Sequence, residues 1–234
     1  MSQSDQVKHS LQDIVALVPA AGSGDRLGLG PKAFLKLGEH SLLRVVVNHL
    51  SSCVGRILIG VPPGEEDRAR AELNGLAEVF PGGATRHATI MTLFRQSTEE
   101  IIVIHDVARP FVSDELVRRV ANSASSDGAA AAYLSPSLPV ARIDGGLATE
   151  LISKRCGGLF QTPLAFRRAV LSRVLQHALD QGIEDFTPFE LAVLLKIPVR
   201  VIPGEETNIK ITTPLDWQIA TQIIAPSLGL ARLE

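Results

Sequence analysis

Ile14-Val15-Ala16-Leu17-Val18-Pro19-Ala20-Ala21-Gly22-Ser23-Gly24-Asp25-Arg26 reads as an apolar strand entering a loop of small residues that ends in an arginine, with Pro31-Lys32 shortly after. A run of Ala and Gly lets backbone N–H groups approach an anion closely, because no side chain stands in the way. Arg26 and Lys32 add positive charge to the same pocket, which is how a nucleoside triphosphate is held by its phosphates. Two familiar phosphate loops do not match. A dinucleotide fingerprint needs glycine at position 27, where Leu27 stands, and a Walker A loop needs Gly-Lys-Ser/Thr, where Pro31-Lys32-Ala33 stands. The plain alternative is a glycine-rich turn after a buried strand.

Composition narrows the setting. A length of 234 residues suits one large domain, read here as residues 1–234, with enough chain to bury a sizeable core. A net charge of -2 with no basic run argues against a nucleic-acid surface. Cys53 and Cys156 give neither a disulfide framework nor metal-ligand spacing, so a reducing compartment is expected. Met1 to His9 are polar and lack an apolar leader core, and no apolar stretch approaches the roughly 18 residues of a membrane span. A soluble, cytoplasmic protein is expected.

Along the chain, residues 1–13 read as a frayed terminus and Ile14–Pro19 as a first strand buried on both faces. Ser41 caps an expected helix to about Leu50, followed by a strand over Arg56–Val61 and a charged helix over Glu65–Leu73. A short strand, Ala77–Phe80, leads into Pro81-Gly82-Gly83-Ala84-Thr85-Arg86 and a helix to about Gln96. Ile101–Ile104 is a buried strand running into His105-Asp106. Ser113 caps a helix to about Ala124, and Ala129–Leu134 is another strand. From Ser135 to Phe160 the pattern turns irregular and suggests a β-arm leaving the sheet. Helices are expected over Pro163–Gln181 and Phe189–Leu195, a strand over Val199–Ile202, and a last helix from the Thr213-Pro214-Leu215-Asp216 start to about Ile224. The alternation implies an α/β fold: a three-layer, mostly parallel, Rossmann-like sheet with helices on both faces and an extended β-arm. Ligands of such sheets sit at the carboxyl ends of the strands, where Gly22–Arg26, Gly82–Thr89 and Asp106–Arg109 should meet.

Each cluster admits a chemical and a plain reading. Asp106, at a strand's end, is placed to bind Mg²⁺, which takes oxygen ligands and keeps waters and phosphate oxygens; otherwise it caps the next turn or pairs with Arg109. Arg109 clamps a second anion or serves as that partner. The segment from Gly82 to Thr89 offers backbone donors at a helix start, with Arg86 and Thr89 one turn apart, suited to base and ribose contacts; otherwise Thr85 is a helix cap beside a solvated arginine. Asn208-Ile209-Lys210-Ile211-Thr212 reads as strand-like, with Lys210 able to reach a phosphate or simply to lie on the surface. No hydrolase triad is visible. His105 has no nucleophile partner and reads as structural, the other histidines form no metal pair, and Tyr133 and Trp217 read as packing residues.

Taken together, Pro19-Ala20-Ala21-Gly22-Ser23-Gly24-x-Arg26, Pro31-Lys32, Gly82-Gly83-x-x-Arg86, His105-Asp106-Val107-Ala108-Arg109-Pro110, Gln161-Thr162-Pro163 and Asn208-Ile209-Lys210 resemble the 2-C-methyl-D-erythritol 4-phosphate cytidylyltransferases of the non-mevalonate isoprenoid pathway. The resemblance spans nearly the whole chain, in the family's order. It implies a nucleotidyl transfer: CTP and methylerythritol phosphate give CDP-methylerythritol and pyrophosphate, with Mg²⁺ and in a homodimer. It implies that Arg26, Lys32 and Lys210 are catalytic. Pro19, Ala20, Ala21, Gly22, Gly24, Gly82, Arg86, Thr89, Asp106 and Ala108 would bind the nucleotide, with Asp106 also at the metal. Arg109, Lys154 and Arg155 would serve the acceptor, and segment 135–160 would form the dimerisation arm.

Departures gather in the acceptor half. Where the family has Pro-Val-x-Asp-Thr this chain has Pro136-Ser137-Leu138-Pro139-Val140, and the family's later Asp-Arg pair falls on Ser153-Lys154, beside Arg155. The acidic run before Glu190 is altered too, with Glu184 and Asp185 displaced. These changes keep two alternatives in view: a cytidylyltransferase for another phosphorylated or phosphonate polyol, and a nucleotide-binding module without catalysis.

Overall fold

The structure, a computed structural model, describes residues 10–184 and 186–230. Segment 1–9, expected to fray, and Asp185 of the acidic run lie outside the described residues. Residues 10–13 do not fray. Ser10 caps a 3₁₀ turn over Leu11–Asp13, its hydroxyl accepting from the Gln12 amide while Asp13 accepts from the Ser10 amide.

The strands are β1 (Ile14–Pro19), β2 (Lys36–Leu37), β3 (His40–Ser41), β4 (Arg56–Val61), β5 (Glu78–Pro81), β6 (Ile101–Ile104), β7 (Ala129–Leu134), β8 (Val140–Asp144), β9 (Leu147–Ile152), β10 (Leu159–Arg167) and β11 (Arg200–Pro203). The helices are α1 (Leu42–Ser51), α2 (Glu66–Leu73), α3 (Arg86–Gln96), α4 (Asp114–Asp127), α5 (Arg168–Asp180), α6 (Pro188–Leu194) and α7 (Pro214–Ile219). The last continues through a π-turn, Ala220–Ile224, into a short α8 (Ala225–Ser227).

Seven strands form the central sheet in the order β11-β7-β10-β6-β1-β4-β5. β10 runs antiparallel to both β6 and β7, and the remaining pairs are parallel. β1, at the middle of the parallel half, carries five buried residues in succession, as a strand covered on both faces must. Its alternate residues divide between two cores. Ile14, Ala16 and Val18 pack with α1, α2 and α4, whereas Val15 and Leu17 pack with α3, α5 and α6. That is the three-layer arrangement read from the sequence.

Two expectations change. The helix expected from Pro163 begins only at Arg168, because Leu164, Ala165 and Phe166 are drawn into β10 and buried between β6 and β7. Burial on both faces gives a continuous apolar run that periodicity alone cannot tell from a helix. The segment from Asn208 to Thr212, read as strand-like, forms no strand: the Ile209 amide turns back to the Thr207 carbonyl, and the amide of Ile211 donates to the Ala108 carbonyl, both at 2.8 Å. The β-arm is present. β8 and β9 pair in an antiparallel hairpin outside the central sheet, with Ile143, Leu147 and Leu151 each more than 70% exposed.

Candidate active site

Loops after β1, β5 and β6 meet at the carboxyl edge of the sheet, where they enclose a cleft of about 310 Å³. The first loop is anchored where it leaves β1, the Ala20 amide donating to the Gly60 carbonyl at 2.7 Å. Gly24, Gly28 and Gly30 all adopt positive φ. A Cβ on Gly24 would overlap the Gly30 carbonyl oxygen, so glycine is required for the loop to fold back on itself. Gly82 supports the same loop from behind. It does not line the cleft, and a Cβ there would overlap the Ala21 Cβ.

Pro19, Ala20, Ala21, Gly22, Gly24, Arg26, Lys32, Arg86, Thr89, Asp106, Ala108 and Lys210 all line the cleft. Ser23, Asp25, Gly83, Ala84, Thr85 and Val107 join them, all within the three clusters expected to meet though none was assigned a ligand. Ser23 donates to Asp25 at 2.7 Å, a local contact that two polar residues so close together in a loop could have signalled. Thr89 is almost fully buried, and its hydroxyl accepts from the Gly83 amide while donating to the Thr85 carbonyl, both at 3.0 Å. Its hydrogen bonds therefore hold the Gly83–Thr85 turn in shape.

Asp106 is the electrostatic centre. Arg86 reaches Oδ1 at 2.7 Å and Lys210 reaches Oδ2 at 2.8 Å, so the carboxylate pairs with neither the turn nor Arg109 through its side chain. Burial alone would raise its pKa, yet the two cations hold it well below the usual carboxylate range. Its amide donates to Thr162 Oγ1 at 3.1 Å and its carbonyl accepts from the Arg109 amide at 3.0 Å. Lys32 donates to the Ile211 carbonyl, and its pKa is lowered by burial first and then by Arg26 and Lys210. Arg26 is exposed at the rim and makes no hydrogen bond or ion pair among the described residues. Four cations thus ring one cleft that contains two carboxylates, Asp106 and Asp25.

Arg109, Lys154 and Arg155 do not line this cleft. The Arg109 guanidinium is turned into the protein, donating to the Asn208 carbonyl at 2.7 Å, and burial lowers its pKa. Lys154 and Arg155 lie on the arm beyond β9, where the Lys154 amine donates to the Ser137 carbonyl at 2.6 Å and Arg155 is exposed. His105 is fully buried, with Nε2 donating to the Arg109 carbonyl at 2.9 Å, and burial pulls its pKa down to about 4. That fits the structural reading of this histidine.

Among the described residues no three His, Cys, Asp or Glu side chains gather into a metal cage, and no helix is long and apolar enough to cross a membrane. Asp106 still suits a hard cation that takes most of its ligands from phosphate and water: Oδ1 faces both Nε and Nη2 of Arg86, but Oδ2 meets only Lys210 and keeps a lone pair.

The chain matches the sequence profile of the 2-C-methyl-D-erythritol 4-phosphate cytidylyltransferases over residues 14–226. It is 36% identical over 209 residues to the enzyme of that name from Thermus thermophilus, covering 89% of this chain and 95% of the relative. Against the Deinococcus radiodurans protein of the same name it is 33% identical, over 88% of this chain and 87% of the relative. The crystal structure of the Thermus thermophilus enzyme superposes with a TM-score of 0.77 at 33% identity, covering 90% of this chain and 98% of that one.

Proposed function

Because the chain belongs to the 2-C-methyl-D-erythritol 4-phosphate cytidylyltransferase family, we propose that its cleft joins CMP from CTP to methylerythritol phosphate, with residue roles as follows. The small-residue loop from Ala20 to Gly24 and the cations Arg26 and Lys32 hold the triphosphate. The turn from Gly83 to Arg86 faces the base and ribose. Lys210 lies at the α-phosphate and the incoming acceptor, and Arg109, Lys154 and Arg155 serve the acceptor from beyond the cleft. An acceptor phosphate oxygen attacks the α-phosphorus, its bond to the β-bridging oxygen breaks, and pyrophosphate departs with the electron pair.

A phosphate oxygen is already a competent nucleophile, so no covalent intermediate with the chain is needed. Catalysis is then alignment together with stabilisation of charge spreading over the phosphorus oxygens. Mg²⁺, held by Asp106 and by triphosphate oxygens, would neutralise part of that charge. Arg86 and Lys210 meanwhile keep Asp106 ionised and fixed in place. A homodimer, with a second copy of this chain covering the apolar residues of the β8–β9 hairpin, completes the reading.

The observation that carries it is the convergence of four cations and a small-residue loop on one cleft at the sheet edge, where two of the cations pair with Asp106. Pyrophosphate release by purified protein with Mg²⁺, CTP and methylerythritol phosphate tests it, with ATP, GTP and UTP as controls. Release should require both CTP and the acceptor. CTP binding without release would set the acceptor assignment aside.

A further inference from the structure

Lys210 sits on the connection between β11 and α7, a stretch without helix or strand, yet its amine lies 2.8 Å from Asp106. Gln161 binds the backbone just before it at two residues, Glu205 and Asn208, and shares the Asn208 carbonyl with Arg109, which donates to it at 2.7 Å. Gln161 Nε2 donates to the Glu205 carbonyl at 3.0 Å and to the Asn208 carbonyl at 3.3 Å, while Oε1 accepts from the Glu205 amide at 3.3 Å. Only this orientation of the amide satisfies all three backbone groups.

The grip is built into the fold. Gln161 is almost fully buried on β10, where the register with β7 shifts between Gln161 and Leu164. A Cβ on Gly204 would fall 2.5 Å from Gln161 Oε1, so a side chain at 204 would displace the amide from its place against the connection. Asn208, wholly buried, returns the contact by donating from Nδ2 to the Thr162 carbonyl at 2.9 Å, and Thr162 Oγ1 accepts from the Asp106 amide. One hydrogen-bonded chain therefore runs from the backbone of Asp106 to the backbone that carries Lys210.

We propose that Gln161 is a positioning residue that fixes the 204–208 backbone and so delivers Lys210 to Asp106 and to the phosphate being transferred. It touches no substrate, and it acts through Lys210. The inference rests on the role given to Lys210 above.

Gln161→Leu removes all three bonds at similar volume, and Gln161→Glu keeps the acceptor for the Glu205 amide while setting a carboxylate against two carbonyls. Two readouts are taken on folded protein: steady-state kinetics, and acylation of the Lys210 amine followed by mass spectrometry. In Gln161→Leu, kcat should fall about tenfold with the KM for CTP far less affected, as loss of alignment predicts, and Lys210 should acylate several-fold faster than in the wild type. In a Lys210→Ala background the same change should add little, since the two act as one unit. Val174→Ala, which loosens the core under α5, should leave Lys210 acylation unchanged. An unchanged acylation rate in both Gln161 variants, or an undiminished kcat loss without Lys210, would overturn the proposal. Should the wild type release no pyrophosphate, the cytidylyl-transfer reading fails by itself, and the acylation rates alone decide the role of Gln161.

Discussion

The Lys32 amine donates to the carbonyl oxygen of Ile211 at 3.0 Å, joining residues 179 positions apart. It is partly buried, and Arg26 and Lys210 crowd it with like charge that Asp216 and Asp106 only partly offset. Such a cation is poised for an anion: a triphosphate in the cleft would relieve the repulsion that the free protein tolerates.

Because burial and neighbouring cations lower its pKa, Lys32 loses its proton at a lower pH than an ordinary lysine. In the role proposed above its cationic form stabilises the reaction, so kcat/KM should fall as pH rises through that lowered pKa. Lys32→Arg should remove this alkaline limb, since guanidinium stays charged. Lys32→Ala should reduce kcat by about 10²–10³. A pH profile identical in the wild type and Lys32→Arg would exclude Lys32 as its source.

Gly82→Ala places a methyl group against the Ala21 Cβ and 3.0 Å from the Val61 carbonyl oxygen. The Ala21 Cβ has no rotamer to escape into and the Val61 carbonyl is backbone, so relief is not easy, and overpacking of this kind costs about 1–3 kcal/mol. The first loop must shift, so affinity for CTP should fall about tenfold. Ala21→Gly in the same protein should restore much of it. Calorimetric titration of CTP into the single and double variants decides the matter.

The pKa of His105 falls to about 4 in the folded protein, against about 6.5 when unfolded. Between those values the unfolded chain binds the extra proton and the folded chain does not, so stability rises with pH there and is lost on acidification from about 6.5 to 4. The difference corresponds to about 3 kcal/mol at most. Asp216, lowered to about 2 because its hydrogen bonds from Thr212 and Thr213 outweigh burial, adds a second loss at lower pH. Urea unfolding across this range should show the slope, and His105→Gln should flatten its upper part.

The exposed apolar residues of the β8–β9 hairpin predict association. Leu147→Lys with Leu151→Lys places charge on a surface of which both residues are now more than 70% exposed. Sedimentation should report a dimer for the wild type and a monomer for the double variant, with the unfolding midpoint of the core little changed. A wild type that sediments as a monomer would leave the hairpin without its partner copy.

Much of this was legible in the chain because the relevant signals are local. The capping box at Thr213, with Pro214 first in its helix and Asp216 third, is present as read, and so are the helices capped by Ser41 and Ser113. β10 was not legible. Pro163 mimics a helix start, and Leu164-Ala165-Phe166 lacks alternation because both sides of the strand are buried. The clusters holding Arg86 and Asp106 were expected at one edge, but not their ion pair, nor the approach of Lys210, which arrives only because the connection after β11 folds back to that edge. Arg109, beside Asp106 in sequence, faces Asn208 instead, a direction set by side-chain packing that spacing does not encode.

The seat of Lys32 on Ile211 and the pairing of Lys210 with Asp106 have a consequence for synthesis. A ribosome delivers the glycine loop, Arg26, Lys32, Arg86 and Asp106 before Lys210 and Ile211, so the emerging chain lacks one of the four cations of the cleft until residue 210 has been added. Completion of the charged cleft is thereby tied to translation having passed residue 211. A prematurely released product would keep the glycine loop but would lack the amine that balances Asp106 and the carbonyl that seats Lys32.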